Sequence, residues 1–181
     1  MSEPRTSTPR QPWYFAVATT KFVVMSIVTF GIYDAYWFYR QWQFERARTG
    51  DDVNPFWRAF FAPLWAFSLF RRIDRAAEET GTGRFAHQLY ALSYFVLLFT
   101  FRLPNPYSLI SILAFVPLIP VQSAANRVNE VLVPGAPRND QYTLSNVITI
   151  VIGGLFLLLA LAGTFIPLDE APDDQPVNVS V

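Results

Sequence analysis

Apolar residues along the chain gather into five runs, with polar or proline-bearing stretches between them. The last run is the longest: no charged residue occurs between Gln141 and Leu168, and 147–167 is almost wholly apolar. A helix needs about 20 such residues to cross the hydrocarbon core of a bilayer. Thr143 and Ser145 stand where they can cap its first turn, and Pro167 where it stops the helix. A buried helix of a soluble core is the competing reading, but a chain of 181 residues cannot build a core thick enough to hide such a helix on all sides.

Runs three and four, 89–101 and 107–121, flank a breaker at 102–106 in which Pro104 and Pro106 force a turn. The pattern predicts a helical hairpin. Residues 85–88 and 122–125 lengthen its arms to about 17–19 residues each, enough to span. Pro117 and Pro120 predict a kink in the second arm, which membrane bundles tolerate.

Run one covers 13–39 and is interrupted by Lys21 and Asp34. Its uncharged centre is short, but Trp13 and Trp37, each in an aromatic cluster, are 24 residues apart, or about 36 Å along a continuous helix. That matches the separation of the two membrane interfaces, where aromatic side chains concentrate, and Lys21 can snorkel to the nearer one. Run two, 55–70, carries Arg58 and Pro63 and has an uncharged part of 12 residues, the length of a re-entrant or interfacial helix. It continues into a charged stretch in which Arg75 and Glu79, four apart, support a solvated helix ending near Gly81.

The tail beyond run five holds Asp169, Glu170, Asp173 and Asp174 and no basic residue. Basic residues favour the cytoplasmic side, so the C-terminus is expected outside the cytoplasm. Two topologies stay open. If run two only dips into the membrane there are four spans, with 10 basic residues inside against 4 outside; if it crosses there are five, and the split is 9 against 5. Run one contains Lys21 and no small-residue cleavage site precedes it, so it is expected to stay as an anchor.

Composition sharpens this by exclusion. Hydrophobic residues make up 52% and charged residues 15%, where soluble domains carry about 25% charged. A disordered chain or an ordinary nucleic-acid binder does not fit. The 14 basic residues balance the 14 acidic ones, so no global field draws the chain to phosphate backbones. The mean hydropathy of +0.24 is low for a multi-spanning protein because polar ends and charged connections dilute it. With no cysteine and one histidine, His87, the chain offers no thiolate or histidine pair for a metal and no cysteine nucleophile. No cofactor is expected, and no nucleophile–base pair marks an enzyme.

Asp34 is the most informative single residue, because an ionisable group at membrane depth is by default a functional-site hypothesis. The competing reading places it at headgroup level, paired with Arg40 or Arg58 or hydrated. Gly31 and Ala35, four apart, could admit a second helix closely. Arg58, among Phe56, Trp57, Phe60 and Phe61, suits contact with a lipid phosphate or an aromatic face, or an interface anchor. Asn126 and Asn129 share a helix face, where they could bond across helices or to a polar ligand, or simply be solvated. Gly153 and Gly154 suit close packing or a bend, and His87 is expected as polar surface beside the membrane.

The stretch Lys21…Thr29-Phe30-Gly31-Ile32-Tyr33-Asp34-Ala35-Tyr36-Trp37-Phe38-Tyr39-Arg40 resembles short bacterial membrane proteins classed as a domain of unknown function, with the pattern Thr-x-Gly-Ile-Tyr-x-x-Tyr-Trp. Lys21, Gly31, Tyr33, Tyr36 and Trp37 match it. The resemblance implies an integral protein of the bacterial inner membrane and transfers no activity and no catalytic residue. The expectation is thus an all-α membrane bundle of four to five hydrophobic helices at 13–168, between a polar arm at 1–12 and an acidic tail at 169–181. Its environment is the lipid bilayer, and its partners are a second copy or another membrane protein. A structural or regulatory role is expected, with a small transporter or channel subunit using Asp34 as the alternative.

Overall fold

A computed structural model describes residues 11–165. The polar arm, apart from Gln11 and Pro12, and the acidic tail lie outside the described residues, as does Pro167. Among the described residues the chain is all-helical, with seven α-helices, two 3₁₀ segments and no strand.

Run one is not one continuous helix. Residues 13–18 are non-helical, α1 covers Thr19–Val28 and α2 covers Ile32–Thr49. Between the helices Phe30 and Gly31 take φ of 51° and 83°, and the Gly31 N–H reaches back to the Ser26 carbonyl at 3.0 Å. This left-handed cap reverses the chain, and a glycine lets it do so without Cβ strain. The Thr29 hydroxyl supports the break from both sides, donating to the Met25 carbonyl at 2.7 Å and accepting the Tyr33 N–H at 2.9 Å. α1 and α2 therefore pack antiparallel: Ser26 meets Asp34, Phe22 meets Trp37 at 5.9 Å, and Phe15 meets Phe44 at 6.2 Å. The aromatic clusters expected about 36 Å apart on a straight helix are instead adjacent, with Phe15 edge-on to Tyr36 at 5.9 Å.

Run two is also two helices. α3, Pro55–Phe60, starts at Asn54, whose Oδ1 accepts the N–H of Phe56 and of Trp57 at 3.0 and 3.3 Å. α4, Ala62–Glu79, begins one residue later, because Pro63 cannot donate into a continuing helix and is tolerated in a first turn. The second half of α4 turns Leu69, Phe70, Ile73 and Ala77 inward and leaves Arg71, Arg75, Glu78 and Glu79 outside. The Arg75–Glu79 pair expected from spacing is not formed among the described residues.

The proline breaker turns the chain into a helical hairpin, but its first arm is shorter than the expected length of about 17–19 residues and is not among the stretches long enough to span. α5, His87–Phe99, runs into a 3₁₀ turn at Thr100–Arg102; a 3₁₀ segment at Tyr107–Phe115 and α6 at Leu118–Leu132 return. The kink falls at Pro117, where 3₁₀ geometry gives way to α. α7, Leu144–Phe165, is capped reciprocally: Thr143 N donates to Asn146 Oδ1 at 3.1 Å and Asn146 N to the Thr143 hydroxyl at 3.4 Å.

The core lies between α1, α2, α4, α5 and α6. Phe22, Trp37, Phe38, Trp42, Leu69, Phe70, Ile73 and Leu118 are fully buried there, with Phe38 stacked on Phe70 at 6.1 Å and against Tyr94 at 5.2 Å. α7 stands outside this core and rests chiefly on α1. Gly153 makes that contact: a Cβ there would lie 2.0 Å from the Val28 carbonyl oxygen. The other faces of α7 expose Val151, Leu155, Phe156, Leu158 and Leu159. Among the described residues two helical stretches are long and apolar enough to cross a membrane, Tyr107–Leu132 and Leu144–Gly163.

Candidate functional site

Four side-chain amides inside the bundle converge on one feature, the non-helical segment 13–17. A buried stretch without secondary structure leaves its peptide groups unpaired, and each orphaned group costs about 1–3 kcal/mol. Here side-chain amides replace a neighbouring strand. Asn129 of α6 accepts the Tyr14 N–H at 3.0 Å and donates to the Tyr14 carbonyl at 2.9 Å. Gln41 of α2 does the same for Phe15, at 3.1 and 3.3 Å. Gln122 donates toward the carbonyls of Phe15 and Val17, both at 3.3 Å, and Asn126 donates to the Val17 carbonyl at 2.9 Å. The Gln122 Oε1 in turn accepts the Trp37 indole N–H and the Gln41 amide, so the clamp is tied to the aromatic core.

Asn126 and Asn129 thus bond across elements rather than to solvent. Trp37 is fully buried as a donor to the clamp, and Tyr33, also buried, lies against Phe22 at 6.0 Å. Tyr36 is 44% exposed on the outer side of the same turn. Gly31 is not on the face of a helix, so the expected close approach with Ala35 is not made; Gly31 is the turn itself and Ala35 is exposed.

Asp34 is buried, and its partner is neither Arg40 nor Arg58: the Ser26 hydroxyl donates to its Oδ1 across the α1–α2 turn. Lys21 does not snorkel outward. It is buried, donating to Asn139 Oδ1 at 2.9 Å and to the Gln141 carbonyl at 2.7 Å, with Tyr142 5.7 Å away. It fixes the linker that leads into α7. The Arg58 guanidinium lies between the rings of Trp42 and Trp65, at 4.2 and 4.3 Å from their centroids, and fastens α3 to α2 and α4.

Sequence reasoning missed Gln41, Gln122, Glu45 and Asp74, all buried. Asp74 holds the loop before α5, accepting the Phe85 N–H at 2.8 Å and lying 3.0 Å from His87 Nδ1. His87 is therefore half-buried and partnered instead of being bare surface. A signal was present: Gln122, Asn126 and Asn129 recur at four and three residues, an amide stripe at helical spacing inside an apolar region.

The arrangement binds the chain's own backbone and leaves its amides engaged. No family model, no curated protein and no solved structure matches this chain.

Proposed function

We propose that this chain is a multi-pass integral membrane protein with a structural or regulatory role, acting through contacts with a second copy or another membrane protein and not by catalysis. The observation that carries the reading is α7, a 22-residue helix that leans on the remainder of the chain mainly through Gly153 and offers its other apolar faces outward. In lipid such a helix is stable alone and free to pair, since small residues such as Gly154 and Gly163 allow close approach.

The distribution of cations supports an orientation. Arg48 and Arg72 both contact Tyr14, which is bonded to Asn129 near the C-terminal end of α6 where Arg127 also lies, while Arg102 sits at the hairpin turn against Phe99 and Phe101. The basic end is cytoplasmic by the positive-inside bias. On this reading α5 with its 3₁₀ turn, about 25 Å long at the rises of the two helix types, is a third crossing beside the two long apolar stretches. The α1–α2 pair enters and returns without crossing, and the C-terminus lies outside. The inner membrane of a bacterium is the proposed location. The transporter alternative has less support: Asp34 faces the interior as it requires, but its carboxylate is engaged by Ser26 among packed rings.

Two experiments on the cysteine-free chain test this. Single cysteines at Thr49, Thr80 and Asn105 are expected to leave the first two protected from an impermeant thiol reagent in intact cells and the third labelled; labelling at Thr49 refutes the re-entrant pair. Single cysteines along 151–162 are expected to form cross-linked dimers or heterologous adducts with a helical period. Uniform absence of cross-links on every face of α7 sinks the association.

A further inference from the structure

A cleft of about 410 Å³ opens where the end of α2 meets the middle of α4, and four arginines line it: Arg48, Arg71, Arg72 and Arg75. Two carboxylates share the lining, Asp51 and Glu79, so cations outnumber anions. Arg72 is committed to Asp51 at 2.9 Å, and this hydrogen bond holds the Asp51 carboxyl below its usual range. Arg48 is committed to Glu45 and lies over the Trp13 ring at 4.9 Å. Arg71 and Arg75 are different. Both are exposed, and among the described residues neither has an ion pair, a hydrogen bond or a ring contact. They stand one turn apart on the same face of α4, about 5–6 Å between Cβ atoms. Like charges at that spacing repel, so two free guanidiniums on one cleft wall are stabilised by an anion between them.

We propose that this cleft binds the phosphate group of an anionic headgroup, with Arg71 and Arg75 as its direct ligands and Arg48 and Arg72 as the flanking wall. Guanidinium forks match phosphate oxygens in pairs, which makes arginine the suitable residue. The lipid source is favoured by what adjoins the cleft on the same helix. Leu64 and Phe67 lie seven and four residues before Arg71, on its own face of α4, and both are exposed, an apolar surface suited to acyl chains. The lipid source rests on the membrane reading above; phosphate recognition itself does not.

The test uses the full chain in mild detergent, with native mass spectrometry after addition of phosphatidylglycerol or phosphatidylcholine. The wild type is expected to retain phosphatidylglycerol selectively, and Arg71→Gln/Arg75→Gln to weaken retention about thirty-fold, the loss two surface arginines would bring. Arg46→Gln/Arg138→Gln removes the same charge outside this cleft and is expected to retain the lipid. Both arginines of the test pair are exposed, and an unchanged melting temperature without lipid checks that the variant folds. Equal loss in both double variants overturns the site in favour of diffuse attraction, and no loss in either overturns it outright. Displacement of the lipid by millimolar inorganic phosphate overturns the lipid source and assigns the site to a soluble phosphate compound. A failure of the membrane reading shows separately, in the thiol labelling.

Discussion

Replacing Asn129 by Leu, which has the same branching and number of side-chain heavy atoms, removes the amide that pairs with both peptide groups of Tyr14. Tyr14 is fully buried and its N–H and carbonyl have no second partner within the clamp, so two orphaned groups at about 1–3 kcal/mol each give a loss of about 2–6 kcal/mol. Gln41→Leu orphans one group, the Phe15 N–H, because the Phe15 carbonyl keeps its bond from Gln122; about 1–3 kcal/mol follows. Asn126→Leu orphans none, since the Val17 carbonyl keeps Gln122, and costs about 1 kcal/mol for the lost bond. The assay is thermal or denaturant unfolding of the purified protein in detergent, followed by tryptophan fluorescence, for which the fully buried Trp37 and Trp42 are reporters. The expected order of damage is Asn129, then Gln41, then Asn126. An Asn129 variant no worse than the Asn126 variant would refute the reasoning that side-chain amides satisfy this backbone.

Gly153→Ala drives a methyl into the Val28 carbonyl and is expected to cost about 1–3 kcal/mol, whereas Gly154→Ala, with nothing within 4 Å, costs nothing; equal melting temperatures contradict the α1–α7 contact. A double-mutant cycle on Arg58 and Trp65 is expected to give a coupling of about 0.5–2 kcal/mol, because the guanidinium lies over that ring at 4.3 Å; zero coupling removes the lock on α3.

The hairpin of α5 and α6, the kink at Pro117, the Thr143 cap and the apolar length of α7 were legible because each rests on local chemistry: prolines, a capping hydroxyl and an uninterrupted apolar run. Run one was misread as straight for an equally physical reason. Its hydrophobic content is the same for a span and for a folded-back pair, and the reversal depends on the left-handed backbone at Phe30 and Gly31. Gly31 was read through its spacing to Ala35 as helix packing, which a glycine in a left-handed turn imitates. Asp34 could be read as an intramembrane group or as a headgroup-level residue paired with Arg40 or Arg58, because its actual partner, Ser26, lies on another helix. The clamp was only half visible. Asn126 and Asn129 could be placed on one face, but their acceptors lie 109 and 115 residues away in a stretch with no regular pattern.

That separation bears on how the protein is made. Residues 13–17 leave the ribosome ahead of the helices that hold them, and three of the four amides that receive them belong to α6 and are synthesised more than 100 residues later. Until α6 is in place, Gln41 alone can satisfy this backbone, and only at Phe15. On the proposed membrane reading a segment of bare peptide groups cannot wait in hydrocarbon, so it stays in water and docks last. The first stretch of the described bundle to be translated is thus the final piece to be installed, and its docking closes the assembly only after the hairpin behind it has formed.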